Sequence, residues 1–242
     1  MAICRDLIFD LGVNDGRDAL YYLDKGFRVV GVEANPRLYG NCTARLRQDT
    51  RMTLLNVGVW NEPRQLPFYV NLSNDHWSSF DPNYGCRDGT PFEVEYITCV
   101  TIADLLREHG TPHYLKIDIE GADKLVLQDL RKLNDRPQFI SVEEYGVAAL
   151  DDLHTLGYEH FQIVPQSNPE KRKMRPPKPA REGRYIKRAF TDQDSGLFGY
   201  ELSLDKWVNY ADARSLFLAT VTDEGGKYVG PPHEWFDIHA RL

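Results

Sequence analysis

Apolar runs alternate with amphipathic segments along most of the chain, in the order expected for parallel strands joined by helices. Residues 7–11 form the first apolar run, and residues 17–25 form an amphipathic segment that ends before Gly26. Residues 27–33 form a second apolar run, which completes a strand, a crossover helix and a strand. Because parallel strands are covered on both faces, they consist of continuous apolar runs. The pattern predicts an α/β protein with a doubly wound, mostly parallel sheet.

The same alternation continues to residue 164. Further strands are predicted at residues 52–59, 65–70, 92–97, 113–119, 139–144 and 158–164, and further helices at 36–47, 101–108, 122–133, 150–156 and 210–218. The stretch 71–91 is rich in Gly and Pro and predicts a mobile loop. We therefore predict a core at 1–164 with a loop insertion at 71–91, and a part at 165–242 that packs on the core within the same domain.

Composition and charge argue against several classes of protein. A net charge of −7 over 242 residues makes nucleic acid an improbable partner, since phosphate binding needs clustered Lys and Arg. The four cysteines form no Cys-x-x-Cys pair, so neither a zinc knuckle nor a disulfide framework is indicated. No apolar run reaches about 18 residues, and the first strand leaves no room for a signal peptide. We expect a cytoplasmic protein with no membrane partner.

The loop after the first strand is unusually acidic for a cofactor loop. Gly12 and Gly16 supply backbone freedom, Asn14 stands between them, and Asp10 and Asp15 supply negative charge. A phosphate about 4 Å from a carboxylate would be opposed by roughly 4 kcal/mol at an effective dielectric constant near 20. The loop therefore disfavours the pyrophosphate of a nicotinamide dinucleotide and favours a cationic cofactor. An ordinary strand-to-helix turn is the alternative that the loop alone leaves open.

The ends of the second and third strands carry candidate contacts for a nucleoside. Glu33 closes the second strand, where an acidic side chain can accept both ribose hydroxyls. Ala34 and Asn35 follow it, and Asn35 could reach the ribose or the adenine. Asn56 and Val57 lie in the adjoining third strand and could face the adenine.

Carboxylates also end the later strands. Lys116 lies within an apolar run, and burial of its ammonium group predicts a carboxylate partner, for which Asp10, Glu120 and Glu143 are candidates. Asp118 ends the same strand, and in the usual strand order Asp10, Asp118 and Glu143 share one crevice. Three carboxylates suit a cationic sulfonium or a divalent metal. No histidine completes a mixed ligand set, and sites made of oxygen atoms alone leave little sequence trace, so we assign no metal ligand.

Two segments are candidates for contact with a substrate. The stretch 71–91 carries His76 beside Trp77 and Ser78, and an imidazole there could remove a proton from an acceptor hydroxyl. A plain surface histidine is the alternative. Nine Lys and Arg residues lie between positions 171 and 188, among prolines that include Pro169. We expect a solvated, partly disordered insertion, with guidance of an anionic acceptor as the functional alternative.

The chain resembles the FkbM-type family of S-adenosylmethionine-dependent methyltransferases. The resemblance rests on residues 9–16, 31–36, 141–143 and 195–199, and above all on residues 115–123. It implies a class I methyltransferase with a seven-stranded Rossmann-like sheet and helices on both faces. It further implies S-adenosylmethionine as cofactor and O-methylation of a sugar, glycan or natural-product hydroxyl. The basic segment at 170–188 has no family counterpart that we can place.

The residue patterns and the resemblance together suggest roles for particular residues. The expected cofactor-binding residues are Asp10, Gly12, Asn14, Gly16, Glu33, Ala34, Asn35, Asn56, Val57 and Asp118. Asp118 is expected to orient the methionine end of the cofactor or the acceptor, with Glu143 or His76 as the base. A nucleic-acid methyltransferase and a non-catalytic cofactor-binding module are the alternatives.

Overall fold

The computed structural model describes residues 2–46, 48–167 and 170–242, so Arg47, the predicted end of the second helix, and Pro169 lie outside the described residues. The strands and helices, in chain order, are β1 (Ile3–Leu11), α1 (Arg17–Lys25), β2 (Arg28–Val32), α2 (Pro36–Leu46), β3 (Met52–Leu55), β4 (Gly58–Val59), β5 (Arg64–Asn71), α3 (Pro82–Gly85), β6 (Phe92–Val100), α4 (Ile102–His109), β7 (Thr111–Ile117), α5 (Asp123–Leu130), β8 (Phe139–Glu143), α6 (Ala148–Thr155), β9 (His160–Pro165), α7 (Glu170–Lys173), β10 (Val208–Asn209), α8 (Tyr210–Thr220) and β11 (Phe236–Arg241).

The main sheet confirms the predicted fold class. Within the described ranges it has eight strands in the order β10-β9-β11-β8-β7-β1-β2-β3. In this sheet β3, β2, β1, β7 and β8 pair with their neighbours in parallel. β11 lies between β8 and β9 and is antiparallel to both. The eighth strand, β10, is a two-residue addition to the edge beside β9, beyond the expected seven.

Helices cover both faces of this sheet with different side chains. One face buries an aliphatic cluster against α4, α5, α6 and α8. The other face buries an aromatic cluster against α1, α2 and the segment around Phe190 and Phe198. Because both faces are covered, every residue of β7 is buried. No helix in the described ranges has the length and apolar character needed to cross a bilayer.

The prediction of one strand over residues 52–59 is wrong. The chain leaves the main sheet after Leu55, and Gly58 and Val59 pair with β6 in a second sheet ordered β4-β6-β5. Asn56 stabilises this departure, since its side-chain amide donates to the carbonyl oxygens of Glu33 and Ala34 at 2.8 and 3.3 Å. Periodicity misses the break because the residues on both sides of it are apolar.

β11 has no counterpart in our sequence predictions. Phe236, Ile238 and Ala240 point into the aliphatic cluster, whereas Asp237 and His239 point to the opposite face of the sheet. Because every second residue of β11 is polar, the segment has a polar composition. Its polar residues are nevertheless largely shielded from water, and His239 is only 2% exposed. The strand completes the sheet between β8 and β9.

The basic segment is less solvated than the sequence indicates. Most of its Lys and Arg side chains are exposed, as expected. Lys171 differs most from this expectation: it is fully buried, and its ammonium group donates to the carbonyl oxygen of Ser195. Arg184 also donates to the carbonyl oxygen of Asp24, next to the end of α1.

A buried ion pair fastens the later part of the chain to α1. The ammonium group of Lys25 lies 2.6 Å from a carboxylate oxygen of Glu201, and both side chains are 0% exposed. Lys25 also donates to the carbonyl oxygen of Arg184 at 3.1 Å, and the Tyr21 hydroxyl donates to Glu201 at 3.0 Å. Every strong donor or acceptor in this cluster therefore has a partner.

We predict that Lys25→Met lowers the free energy of unfolding by about 3–5 kcal/mol, because it leaves the Glu201 carboxylate buried without its counter-charge. Urea unfolding measures the loss. Lys173→Met is the matched control, since the Lys173 ammonium pairs with Glu170 at an exposed position and its removal should change stability by less than about 1 kcal/mol. Equal effects of the two substitutions would contradict the prediction.

Candidate active site

A cavity of about 890 Å³ opens at the carboxyl ends of the parallel strands. One side is formed by the loop after β1, residues 12–15, and by Glu33 and Ala34 at the end of β2. The loop after β7, residues 118–121, and the loop insertion at 74–80 form further walls. This is the edge at which doubly wound sheets bind ligands.

Close packing explains the residues of the loop after β1. Gly12 has φ +87°, and a Cβ atom there would lie 1.8 Å from the carbonyl oxygen of Asp118, so only glycine fits. Asn14 has φ +51°, a conformation that asparagine adopts more readily than most residues with a side chain. Gly16 has φ +83° and begins α1 as its N-cap. Asn14 therefore adopts the left-handed backbone conformation that glycine adopts most readily.

Glu33 is held by the backbone and faces the cavity. Its Oε2 atom accepts a hydrogen bond from the backbone N–H of Asn14 at 2.8 Å, and its Oε1 atom accepts one from the backbone N–H of Asn35 at 2.8 Å. The residue is only 6% exposed. Burial raises the pKa of Glu33 to about 7, against the lowering effect of these two hydrogen bonds. Each oxygen retains acceptor capacity for a ligand hydroxyl.

Lys116 lies at the cavity floor and joins several acidic groups. Its ammonium nitrogen lies 3.3 Å from carboxylate oxygens of both Asp10 and Asp118, and 3.9 Å from Asp18. It also donates to the carbonyl oxygen of Gly12 at 3.1 Å. The predicted carboxylate partner is therefore confirmed as Asp10. Of the other candidates, Glu120 pairs with Arg87 at 3.0 Å.

The pKa values of these groups follow from burial and mutual attraction. Burial raises the pKa of Asp10 to about 6, although the Lys116 charge opposes the rise. Burial lowers the pKa of Lys116, but the carboxylates of Asp10, Asp118 and Asp18 more than offset this, and the pKa lies well above its usual value. Lys116 is thus a fixed positive charge beneath an acidic cavity.

A second group of acids lines the far side of the cavity. Glu143 ends β8 and Asp237 lies directly opposite it on β11. Burial, followed by the charges of Asp118 and Glu120, raises the pKa of Glu143 well above its usual value. Burial also raises the pKa of Asp237 to about 7. Sequence reasoning missed Asp237 because β11 was not predicted, although the alternation of residues 236–241 was a usable signal.

The loop insertion packs against the rest of the site. The imidazole Nδ1 atom of His76 lies 3.4 Å from the side-chain nitrogen of Asn14. Ser79 donates from its hydroxyl to the carbonyl oxygen of Glu120 at 2.6 Å, and the Arg87 guanidinium lies 4.8 Å from the Trp77 ring centroid. His76 is exposed beside the loop after β1, whereas Glu143 lies on the sheet.

The cavity brings together most of the site residues that the sequence nominates. Those that line it are Gly12, Asn14, Glu33, Ala34, Val57, His76, Asp118 and Glu143. Four nominated residues lie outside its lining, namely Asp10, Gly16, Asn35 and Asn56. Asp10 lies beneath the floor, Gly16 caps α1, and Asn35 and Asn56 contact backbone groups. The roles of all these residues toward a ligand remain predictions.

The lining suits a cationic nucleoside. Glu33 offers buried acceptor oxygens at the end of β2, and Asp118 offers a half-exposed carboxylate in the same cavity. An S-adenosylmethionine molecule carries ribose hydroxyls and an ammonium group, which need such acceptors, and a sulfonium, whose positive charge the carboxylates attract. Among residues 2–46, 48–167 and 170–242, no group of three or more His, Cys, Asp or Glu side chains is arranged to hold a metal ion.

We predict that the ligand-free protein becomes less stable as the pH rises from 6.5 to 8. Burial raises the pKa of Glu33, Glu120 and Asp237 to about 7, and that of Glu143 well above its usual value. The folded state therefore binds more protons than the unfolded state across this range, and stability falls with rising pH. Burial lowers the pKa of His239 to about 3, which opposes this trend only below about pH 6.5, where the unfolded histidine is protonated.

The expected loss is on the order of 1–3 kcal/mol, measured by urea unfolding at each pH. Asp237→Asn removes one of the titrating groups and should make the dependence shallower. Glu95→Gln alters an exposed carboxylate of β6 and should leave the dependence unchanged. A stability that rises between pH 6.5 and 8 would contradict the prediction.

Solved structures with similar folds are methyltransferases of several kinds. The FkbM methyltransferase from Methylobacillus flagellatus KT is 21% identical, with a TM-score of 0.41 over 60% of this chain and 34% of that one. The chain thus spans about a third of the length of that structure. A precorrin-6Y C5,15-methyltransferase from Geobacter metallireducens GS-15 is 11% identical, with a TM-score of 0.43 over 100% of this chain and 82% of that one.

The family assignment rests on sequence rather than on these structural alignments, whose TM-scores are below 0.5. No curated protein matches the chain. The model of the family described as "Methyltransferase FkbM domain" matches residues 10–164, which include the loop after β1, Glu33 and the Asp118 loop. The chain therefore belongs to the FkbM family of S-adenosylmethionine-dependent methyltransferases.

Proposed function

We propose that the chain transfers a methyl group from S-adenosylmethionine to a hydroxyl group of a sugar, glycan or natural-product acceptor. The observation that carries this proposal is the half-buried carboxyl group of Glu143, which ends β8, lines the cavity with Asp118 and has a raised pKa. A hydroxyl oxygen attacks a methyl group faster when a base removes its proton. A carboxylate whose pKa is raised above its usual value is a stronger base for this task.

The proposed cofactor contacts follow β1, β2, β3 and β7, whereas Glu143 ends β8. Glu33 would accept hydrogen bonds from the ribose hydroxyls, and Ala34 and Val57 would flank the adenine ring. Asp118 would accept a hydrogen bond from the ammonium group, because its position beside Lys116 keeps it fixed. Gly12 allows the loop after β1 to approach the backbone carbonyl group of Asp118 closely.

The charge of the lining supports a cationic cofactor and counts against nucleic acid. Twelve Asp and Glu residues line the cavity, against four Lys and Arg residues. Three of those four cations already pair with carboxylates, since Arg17 binds Asp15, Arg87 binds Glu120 and Lys116 binds Asp118. An acceptor with phosphate groups would therefore meet net repulsion. The same argument disfavours the anionic acceptor that the basic segment suggested.

The chain would contribute to the reaction by orientation and by proton removal. When bound, S-adenosylmethionine supplies an electrophilic methyl group attached to a positively charged sulfur. Holding the acceptor oxygen in line with that methyl group contributes up to roughly 7–11 kcal/mol. Proton removal by Glu143 contributes a further factor of about 10²–10⁴. His76 is the alternative base, but its position beside Asn14 favours Glu143.

We predict that Glu33→Ala weakens binding of S-adenosylhomocysteine, the stable product, by a factor of about ten or more, because two ribose hydroxyls lose their acceptor. Isothermal titration calorimetry measures the affinity. Glu95→Ala, an exposed substitution on β6, is the control and should bind like the unaltered chain. Unchanged affinity in a folded Glu33→Ala protein would exclude the ribose assignment.

The acceptor class is tested with tritium-labelled S-adenosylmethionine and three panels: neutral glycosides and polyketide alcohols, their phosphorylated counterparts, and RNA. We expect label in the neutral hydroxyl panel and little in the others. Transfer to RNA with steep salt dependence would instead support a nucleic-acid methyltransferase. A protein that binds S-adenosylhomocysteine but labels no panel would support the non-catalytic alternative.

A further inference from the structure

Glu143 and Asp237 form a pair of acidic residues on rigid strands. The antiparallel register of β8 and β11 places them directly opposite each other, so their side chains share one face of the sheet. Residues in this relation have Cα atoms about 4.5–5.5 Å apart. Both residues line the cavity. Two ionised carboxylates directly opposite each other destabilise a sheet. Packing therefore does not explain why both of these residues are acidic.

The other acids nearby are already engaged with fixed partners. Asp118 pairs with Lys116, Glu120 pairs with Arg87, and Asp123 accepts hydrogen bonds from the backbone N–H groups of residues 119 and 121. Glu143 and Asp237 differ from them: neither carboxyl group has a hydrogen bond or an ion pair with any residue in the described part of the chain. Their acceptor capacity is free for a ligand in the cavity.

Charged groups from several elements surround the pair. Asp118 and Glu120 face it from the loop after β7, together with Asp123 of α5, Lys116 of β7, Asp18 of α1 and Lys171 of α7. Burial and the acidic neighbours raise the pKa of Glu143, and burial raises the pKa of Asp237 to about 7 while the charge of Lys171 opposes that rise. Two carboxyl groups on directly facing residues resist being ionised together. A state in which one of the two carboxyl groups is protonated is therefore favoured over the doubly ionised state.

We infer that Asp237 is a second catalytic residue, which forms with Glu143 a proton-sharing pair that contacts the acceptor hydroxyl and receives its proton. This inference rests on the proposed O-methylation. In the step, a bond forms between the acceptor oxygen and the methyl carbon, and the carbon–sulfur bond breaks with its electron pair remaining on sulfur. The hydroxyl proton passes to the ionised carboxylate of the pair. A sulfonium and a carboxylate thus become a neutral thioether and a carboxylic acid, and charge is conserved.

The pair itself is tested without any acceptor. The side-chain carboxyl carbons of Asp and Glu are labelled with ¹³C in the whole chain, and their titration is followed by NMR. We expect the Glu143 and Asp237 signals to titrate together in two coupled steps, and Asp237→Asn to lower the Glu143 midpoint by about one pH unit or more. Glu95→Gln is the control and should move neither signal. A Glu143 midpoint that is the same with and without Asp237 would overturn the pair.

The catalytic role is tested by methyl transfer from tritium-labelled S-adenosylmethionine to the neutral glycoside and alcohol panel. We expect Asp237→Asn to lower kcat by about 10²-fold, with S-adenosylhomocysteine affinity unchanged, and Asp237→Glu to restore part of the rate. The pH profile of kcat should also move with the Glu143 midpoint. Circular dichroism shows whether each variant is folded. If Asp237→Asn does not fold, Glu143→Gln serves as a second variant.

The outcomes separate this inference from the proposed function. Hydroxyl methylation by the unaltered chain together with full turnover by Asp237→Asn would overturn the role of Asp237 and leave the proposed function intact. Cofactor binding without methylation of any hydroxyl would overturn the proposed function and the proton-accepting role with it, whereas the NMR titration would still decide whether the pair shares a proton.

Discussion

The ammonium group of Lys116 contacts Asp10, Asp118 and the carbonyl oxygen of Gly12, and through them it joins β1, β7 and the loops that follow both strands. A buried lysine and a buried aspartate are each costly alone, and their attraction offsets that cost only in close geometry. The contact therefore fixes how the loop after β1 and the loop after β7 approach each other. The two loops form the cavity floor where they meet. Their close contact also explains why Gly12 can have no side chain.

A row of polar side chains continues from Asp10 and Lys116 across several strands of the sheet. Asp10, Lys116, Ser141, His239 and Gln162 occupy neighbouring positions on five adjacent strands. One step nearer the cavity, Glu143 and Asp237 face each other. The antiparallel strand β11 is essential here, because it brings the beginning of a strand to the edge where the parallel strands end. A late segment of the chain thereby supplies an acid to the site.

The segment after β9 closes the same region from another direction. Ser195 donates from its backbone N–H to both carboxylate oxygens of Asp18 at 3.1 Å, and its carbonyl oxygen accepts from the buried Lys171. Phe198 packs against Tyr22 and Tyr114 in the aromatic cluster. The buried pair of Lys25 and Glu201 holds the following residues against α1. This part of the chain is thus structural support for the cavity wall.

Apart from the break between β3 and β4 and the short helix α3, the sequence by itself determined the strand and helix order through β9. It also determined the acidic character of the loop after β1 and the positions of Glu33, Asp118 and Glu143. Local pattern suffices for these features because buried parallel strands are continuous apolar runs and because their ends define one edge of the sheet. Only the tertiary structure decided that β11 lies between β8 and β9, that Asp237 opposes Glu143, and that Lys171 is buried while its basic neighbours are exposed. These features depend on contacts between residues far apart in the chain, and neither the polar composition of residues 236–241 nor the charge of residues 171–188 reveals which side chains lose contact with water.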